Sequence, residues 1–363
     1  MKLAIEVPAV SSRLSHVHIG SGLLPQIPGM VAEDWREGRV FWVVDKTVWL
    51  HWGRALLDWG WPNPADGNVF LFEAAESRKT LRTVEDMCRR LAGAGADRGS
   101  ALVAVGGGVT GDVAGFVASV YMRGIPHYQV PTTLLAQVDS SIGGKTGVDL
   151  PEGKNLVGAF HQPRIIWMDL EVLGTLPREE FRQGMAEVIK TAMIGDAALW
   201  EYLETHQAAV GRCERDALQR IVSACSSLKK KVVEADERES GRRRVLNLGH
   251  TVGHALERVS GYQMRHGDAV AAGMVAAARL SVRMGYLPPE DLDRLIRLCA
   301  AWDLPVKVSP AFPVRDLLSA LEIDKKRIGG RLHFILPVRI GEVLDHDAVD
   351  SGAIEAVLGE MQS

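Results

Sequence analysis

Glycine, lysine, asparagine and histidine cluster in five short segments of this 363-residue chain, where an apolar core would not need them. In chain order these segments are 106–112, 138–146, 153–155, 187–190 and 247–266. The first is rich in glycine, which lets backbone N–H groups approach a phosphate closely. The last two supply a carboxylate and three histidines, which are common zinc ligands. The combination predicts an enzyme that uses a nucleotide cofactor and a metal ion.

Segment 106–112 reads GGGVTGD and lies between a predicted strand and a stretch that suits a helix. Glycines at such a position can hold a diphosphate at the N-terminus of the helix. The segment lacks the GxGxxG spacing, and a tight turn would also explain its glycines. Asp45 ends an earlier predicted strand, where a carboxylate can bind ribose hydroxyls or cap a helix. Together the two features predict a dinucleotide site.

The metal-type residues begin on a predicted helix that is otherwise apolar. Gln183, Glu187 and Lys190 are spaced i, i+4 and i+7, so they share one face of that helix. Burying such a polar stripe is costly unless its members are paired. An intrahelical ion pair between Glu187 and Lys190, worth roughly 0.2–0.5 kcal/mol, is the simplest alternative explanation.

The histidines favour a metal site over that alternative. His250 and His254 are spaced i, i+4, which permits both rings to bind one zinc ion from a helix, and His266 opens the next predicted helix. No glutamate follows His250, so the HExxH motif of metalloproteases is absent. A catalytic zinc needs three protein ligands and one open position. Glu187 is the candidate carboxylate ligand.

Cationic and amide side chains occur repeatedly in glycine-rich or motif-like contexts. They are Arg123, Lys145, Lys154, Asn155, Lys190 and Arg243. Lysine suits phosphate as a point charge, and arginine binds phosphate or carboxylate through two parallel hydrogen bonds. Solvation explains most surface lysines, but Lys145 follows two glycines, which indicates a backbone packed close to a ligand. These residues predict an anionic, phosphorylated substrate.

The elements that must position these residues change character along the chain. Segments 40–44, 68–72, 101–105, 127–130 and 164–168 are predicted strands, and 81–92 is a predicted helix. Strands separated by helices indicate a parallel α/β sheet of Rossmann-like type. From about residue 176 the pattern is helical, over 180–194, 216–233, 251–259, 268–284 and 289–301, with one late strand pair at 332–337. We therefore predict an NAD-binding α/β domain over 1–176 and a mostly helical, metal- and substrate-binding domain over 177–363.

The composition excludes several other classes of protein. A net charge of −3 leaves no electrostatic footprint for nucleic acid. The longest apolar run, 269–278, is too short to span a membrane, and residues 1–8 lack a signal-peptide core. The four cysteines form no CxxC pair and have no disulfide-like spacing. We expect a cytoplasmic protein with no nucleic-acid or membrane partner.

Seven blocks of the chain resemble the 3-dehydroquinate synthases of the shikimate pathway. In chain order they are GGGVTGDVAGFVAS, YMRG, VPTTLLAQVDSSIGGKTGVDLPEGKNLVGAFHQP, TLPREEFRQGMAEVIK, DERESGRRRVLNLGHTVGHALE, HGDAVAAGM and IDKK. The resemblance extends from about Asp45 to Lys326. It implies conversion of 3-deoxy-D-arabino-heptulosonate 7-phosphate to 3-dehydroquinate and phosphate, with transient oxidation by NAD and with Zn²⁺ or Co²⁺ as the metal.

The resemblance also implies roles for individual residues. The metal ligands would be Glu187, His250 and His266, with His254 in the site but not bound to the metal. The NAD contacts would be Asp45, Thr47, Glu76, Lys79, Gly107, Gly108, Val109, Asp112, Thr132, Thr133, Lys154 and Thr175. The substrate contacts would be Arg123, Asp139, Lys145, Asn155, Lys190, Lys229, Arg243, Asn247, His254 and Lys326, with Lys154 also beside the substrate. The catalytic groups among them would be Asp139, Lys190, Asn247 and His254. Arg123 would reach the phosphate site of a second subunit in a homodimer.

Two departures from the family pattern accompany the resemblance. Thr47 replaces a frequent asparagine, and Asp268 replaces the glutamate that usually follows His-Gly. Alternative activities are those of 2-deoxy-scyllo-inosose synthase, which typically lacks the Gly-Gly-Lys-Thr block, and of aminodehydroquinate synthase. A metal-dependent alcohol dehydrogenase would share the glycine segment and the metal but not the lysines and asparagine. A binding module without activity is the remaining alternative.

Overall fold

The computed structural model describes residues 14–239, 241–327 and 333–362, with residues 323–327 described by their backbone alone. The described chain divides into two compact units. The first contains Leu23–Val130 and Gly144–Met168, and the second contains Ile19–Gly22, Pro131–Gly143 and the chain from Asp169 onward. Each unit is described separately below.

A six-stranded sheet forms the centre of the first unit, and its strand order is β1-β8-β5-β4-β2-β3. The strands are β1 (His16–Gly20), β2 (Val40–Asp45), β3 (Val69–Phe72), β4 (Ala101–Gly106), β5 (His127–Pro131) and β8 (Ile165–Asp169). The pairs β2–β3, β2–β4 and β5–β8 are parallel. The five strands predicted from the sequence are confirmed. The uninterrupted apolar run of β4 is typical of a parallel strand buried on both faces, and β4 and β5 are buried throughout.

Helices α1 (Ile27–Asp34), α2 (Lys46–Asp58), α3 (Leu81–Gly93) and α4 (Gly108–Val120) connect these strands. The strand order places β2 and β4 side by side, with Val44 opposite Val105, although β3 comes between them in the chain. The strands that follow β4 in the chain, β5 and β8, lie on the other side of β4 in the sheet. Asp45 and the glycine-rich segment thus follow neighbouring strands where the strand order reverses, which is the usual ligand position in open α/β sheets.

A separate antiparallel hairpin, β6 (Lys145–Leu150) and β7 (Gly153–Phe160), packs against α4. The sequence pattern of this region indicated glycine-rich, ligand-binding backbone and predicted no strands. The glycines are needed for packing within the hairpin, because a Cβ at Gly147 would lie 2.7 Å from the carbonyl oxygen of Val157. These glycines therefore interrupt the pattern of valine and leucine that would otherwise predict strands.

The second unit is mostly helical, as predicted. Its helices are α5 (Arg178–Gly195), α6 (Ala197–Thr205), α7 (Gln207–Gly211), α8 (Arg215–Ala235), α9 (His250–Val259), α10 (His266–Arg283), α11 (Pro289–Ala301), α12 (Val314–Arg327) and α13 (Ser351–Met361). The late strand pair, predicted at 332–337, is the antiparallel hairpin β9 (Phe334–Arg339) and β10 (Glu342–His346), so the predicted range contains only part of β9 and residue 332 lies outside the described residues. Helices α5 and α10 are buried along most of their length, so this unit has a core of its own. No helix in the described ranges is long and apolar enough to cross a membrane.

Candidate active site

The polar stripe of α5 is buried inside the second unit. Gln183, Glu187 and Lys190 are only 5%, 1% and 2% exposed, so their side chains are paired within the protein rather than solvated. Lys190 forms an ion pair with Glu187 three residues earlier, as the simplest alternative predicted. Burial raises the pKa of Glu187, but Lys190 and two nearby histidines outweigh burial and hold this pKa well below its ordinary value. Glu187 is therefore a carboxylate at neutral pH.

Glu187, His250 and His266 come together, each offering one ligand atom within 4.8 Å of the others. Oε1 of Glu187 lies 3.4 Å from Nε2 of His266 and 3.9 Å from Nε2 of His250. Neither carboxylate oxygen receives a hydrogen bond of good geometry from the described residues, although both are buried. Three nitrogen and oxygen ligands from α5, α9 and α10 fit a catalytic zinc or cobalt ion with an open position.

The two histidines differ in protonation, and only the His250 ring is already in the neutral state that a metal ligand needs. Burial and then the Lys190 cation lower the pKa of His250 to about 3, so its ring is neutral and able to bind a metal. Burial also opposes protonation of His266, but the carboxylates of Glu187 and Glu257 raise its pKa to about 9. A metal ion would displace that proton. The exposed ring of His254 meets His250 edge-on at 5.3 Å between centroids and lies outside the three-residue group.

The start of α10, which carries His266, is fixed to α5. Arg182 forms an ion pair with Asp268 at 2.7 Å and a second contact at 3.1 Å. Gln183 donates a hydrogen bond to the Asp268 carboxylate at 3.1 Å and accepts one from its backbone N–H at 3.2 Å. A Cβ at Gly267 would lie 2.8 Å from the Cα of Gln183, so only glycine permits this approach. We call Arg182, Gln183 and Asp268 the α5–α10 clamp.

Lys229 and Asp139 form a second charged pair in the same unit. Nζ of Lys229 donates to the backbone oxygen of Asp139 at 2.5 Å and to its carboxylate at 2.6 Å. Burial raises the pKa of Asp139, but Lys229 and Lys190 reverse that effect and lower it. Asp139 lies in a π-helical turn, Ala136–Ser140, a conformation that is rare and frequent at functional sites.

Arg243 is almost fully buried, at 2% exposure. Its guanidinium donates to the carbonyl of Gly143 at 3.2 and 3.3 Å and to the carbonyl of Glu237 at 2.5 Å. Gly143 has a φ of +101°, and a Cβ there would lie 2.5 Å from Nη2 of Arg243. Asp236 holds the backbone of this loop by accepting the N–H groups of Gly241 and Arg243. Nε of Arg243 is buried and has no acceptor among the described residues.

Glu239, which the sequence pattern did not single out, is paired with the candidate site residue Asn247. Its carboxylate accepts a hydrogen bond at 2.8 Å from the side-chain amide of Asn247. The available signal was the acidic run just before the arginines, in which Glu239 stands eight residues ahead of Asn247. Only the fold of the intervening loop brings the two side chains together.

In the first unit, the predicted cofactor residues form two groups. Nζ of Lys79 donates to Asp112 at 2.7 Å and to the side-chain oxygen of Asn155 at 2.5 Å. Burial lowers the pKa of Lys79, but Asp112 and other carboxylates outweigh burial and raise this pKa above its ordinary value. Nζ of Lys154 lies 3.3 Å from Oε1 of Glu76. The structure therefore places Asn155, predicted to contact the substrate, beside the predicted NAD contacts Lys79 and Asp112.

The second group lies at the ends of β2 and β4. Asp45 is the N-cap of α2, accepting the backbone N–H of Thr47 at 2.7 Å, so the capping alternative is confirmed and the ribose contact stays a prediction. Gly107 is the N-cap of α4, and Gly108, Val109 and Asp112 lie in its first turns. The first turn of α4 presents N–H groups that no side chain caps, as phosphate binding requires.

The remaining predicted residues are placed as follows. Thr132 is buried, the Thr133 hydroxyl accepts the N–H of Ala136, and the Thr175 hydroxyl donates to the carbonyl of Val172. Lys145 is exposed at the start of β6, and Arg123 is exposed with a left-handed φ of 70°. The side chain of Lys326 lies outside the described residues.

Most of the chain matches two models of one protein family. Residues 69–183 match the family model for the N-terminal part of 3-dehydroquinate synthase, and residues 184–327 match the model for its C-terminal part. A 3-dehydroquinate synthase of Halorhodospira halophila is 45% identical over 329 residues, which is 90% of this chain and 91% of that protein.

Two solved structures are similar along nearly the whole chain. One is a 2-epi-5-epi-valiolone synthase from Streptomyces hygroscopicus with bound NAD⁺ and Zn²⁺, at a TM-score of 0.89 and 28% identity, covering 98% of this chain and 99% of that one. The other is a 2-deoxy-scyllo-inosose synthase with carbaglucose-6-phosphate, NAD⁺ and Co²⁺, at a TM-score of 0.82 and 29% identity, covering 95% and 96%. The chain therefore belongs to the 3-dehydroquinate synthase family.

Proposed function

We propose that this protein is a 3-dehydroquinate synthase, which converts 3-deoxy-D-arabino-heptulosonate 7-phosphate to 3-dehydroquinate and phosphate. The observation that carries the proposal is the grouping of Glu187, His250 and His266 beside the buried cation Lys190. Relatives of this name match over most of the chain at 45% identity. The cofactors are NAD and Zn²⁺ or Co²⁺, since the two similar structures hold NAD⁺ together with Zn²⁺ or Co²⁺.

In this reaction the bound NAD and metal supply transient oxidation of one substrate carbon, with polarisation of its hydroxyl, and later re-reduction. The chain supplies the sites for both groups. Glu187, His250 and His266 would hold the metal. The N-terminus of α4 at Gly107, Gly108 and Val109 would bind the NAD diphosphate, and Asp45 would bind a ribose. Further NAD contacts are proposed for Thr47, Glu76, Lys79, Asp112, Thr132, Thr133, Lys154 and Thr175.

The second unit also supplies groups that suit an anionic sugar acid. Arg243 is held rigidly, and its buried Nε is directed at no acceptor of the described chain, so it would donate to a substrate oxygen. Lys190 and Asn247 would orient hydroxyl groups, and the exposed ring of His254 would exchange a proton with the substrate. Asp139 and Lys229, joined at 2.6 Å, would keep each other charged and in place. We also assign Lys145, Asn155 and Lys326 to the substrate.

The test is an assay with the heptulosonate phosphate and a trace of NAD. We expect one phosphate released per product and no accumulation of NADH absorbance, because the hydride is returned within each turnover. Steady NADH formation in step with product would instead indicate a dehydrogenase. Phosphate release from an aminated or hexose phosphate substrate only would indicate another cyclase of this superfamily.

We further propose that the enzyme is a cytoplasmic homodimer and that Arg123 completes the phosphate site of the partner subunit. Arg123 is exposed and follows Met122 in two consecutive left-handed residues. Val120 and Met122, which precede it in the chain, are 45% and 43% exposed. Exposed apolar side chains next to an exposed arginine are typical of a protein interface. All four cysteines, each within the described chain, are free, as expected for a reducing compartment.

A further inference from the structure

Glu257 is a buried carboxylate behind the proposed metal ligand His266. It is 2% exposed, and burying a charge costs free energy unless a partner compensates it. Its Oε1 lies 3.6 Å from Nδ1 of His266, while the opposite ring nitrogen, Nε2, lies 3.4 Å from Glu187. The His266 ring therefore lies between two carboxylates, one on each nitrogen.

The helix that carries Glu257 packs closely against the helix that carries His266. Glu257 follows His250 by seven residues on α9, which puts both on the same face, toward α10. The two helices approach closely through glycines: a Cβ at Gly253 would lie 3.1 Å from the carbonyl oxygen of Ala269. Helix α9 thus brings one ligand to the metal group and one carboxylate to the ring of another ligand.

We propose that Glu257 is a positioning residue for the metal site, accepting the Nδ1–H of His266 so that Nε2 faces the metal. The proposal rests on the metal site of the proposed function. A histidine that binds a metal through one nitrogen commonly donates its other N–H to a carboxylate, which fixes the ring and strengthens the ligand. Glu257 touches neither substrate nor cofactor in this role.

The experiment compares Zn²⁺ affinity of the metal-free full-length protein with that of Glu257→Gln and Glu257→Ala, by competition with a chromophoric chelator. Circular dichroism at the titration temperature establishes that each sample is folded. Glu180→Gln is the matched control, because its carboxylate contacts the neighbouring Arg265 at 2.7 Å rather than the His266 ring. We expect affinity to fall roughly 10–100-fold in both Glu257 variants and to be unchanged in the control.

A second measurement uses the Co²⁺-loaded protein, whose visible absorption bands report ligand geometry. We expect these bands to shift in Glu257→Gln and not in Glu180→Gln. Wild-type affinity and unshifted bands in folded Glu257→Gln overturn the proposal, and this variant decides the question if Glu257→Ala does not fold. Failure of the wild-type protein itself to bind Zn²⁺ would overturn the metal site and not merely the role of Glu257.

Discussion

Single residues in this protein owe their properties to burial combined with a specific charged neighbour. Glu187 is the clearest case, because burial alone would protonate it and Lys190 with the histidines keeps it charged. His250 shows the opposite effect: burial and the same lysine keep its ring neutral. A carboxylate that stays ionised and an imidazole that stays neutral are the protonation states that a metal ligand needs.

Replacement of His250 by alanine tests the metal assignment. We expect His250→Ala to lose bound zinc and activity together, by more than the roughly 10–100-fold that loss of an outer partner costs. His254→Ala is the control, since its ring touches that of His250 but lies outside the metal group. The His254→Ala variant should keep its bound zinc but lose turnover. Stoichiometric zinc and normal turnover in His250→Ala would refute the assignment.

His127 in β5 predicts a pH dependence of stability. Burial, with a smaller contribution from the stacked ring of His161, lowers the pKa of His127 from 6.5 to about 3. The unfolded chain binds a proton below pH 6.5 while the folded chain does not, so stability is complete above pH 6.5 and falls as the pH drops toward 3. At pH 5 the loss from this group should be about 2 kcal/mol.

The measurement is the free energy of unfolding by urea at pH 7.5 and pH 5, for the wild-type protein and His127→Phe. All other titrating groups are shared, so the difference between the two pH effects isolates His127. We expect the variant to lose about 2 kcal/mol less than the wild-type protein between these pH values. Equal losses would contradict the prediction.

At the scale of elements, helix α5 organises the second unit because it is buried, carries Glu187 and receives the start of α10. The α5–α10 clamp sets the distance between Glu187 and His266, since Asp268 is two residues after His266 and Gln183 is four residues before Glu187. Aspartate at position 268 reaches both Arg182 and Gln183, so the shorter side chain is accommodated here.

A double-mutant cycle tests the clamp. Arg182→Ala, Asp268→Ala and the double variant should show a coupling of about 1–3 kcal/mol in unfolding free energy, because each single change removes the nearest charged partner of a largely buried side chain. Measurements in chelator remove any contribution of bound metal. Arg178→Ala is the control on the same helix, since its ion pair with Asp303 is exposed and should contribute less than about 1 kcal/mol. Additive single effects would contradict the coupling.

At the scale of the whole molecule, the proposed homodimer predicts complementation between inactive variants. Arg123→Ala should lower kcat/KM roughly thirtyfold to a thousandfold, as expected for loss of a charge-assisted contact of about 2–4 kcal/mol to the substrate phosphate. Lys145→Ala should also be inactive. In a mixed dimer one of the two sites regains both side chains, so the purified mixed dimer should have about half of wild-type activity.

The activity is measured on a heterodimer purified with two different affinity tags. The control is a mixture of Arg123→Ala with Arg123→Ala carrying the second tag, which should recover nothing. A verified mixed dimer without activity would show that Arg123 acts within its own subunit or only at the surface.

The sequence alone determined the fold class, five of the six sheet strands and the family. Short β-rich segments predicted those five strands, and the helical period predicted five main helices of the second unit, because buried segments carry these patterns locally. It did not predict the β6–β7 hairpin, whose glycines serve close packing rather than a turn. The domain boundary near residue 176 and the roles of individual site residues stay predictions.

Only the tertiary structure decided which side chains meet. Spacing permitted His250 to pair with His254, and it is the docking of α10 on α5 through Gly267 that brings His266 within reach of Glu187 instead. Arg243 donates to the carbonyl of Gly143, and Asn247 donates to the carboxylate of Glu239. The ring of His266 lies beside the carboxylate of Glu257. The periodicity of a sequence does not predict such contacts, because they depend on how helices and loops pack against one another and not on the sequence pattern within each element.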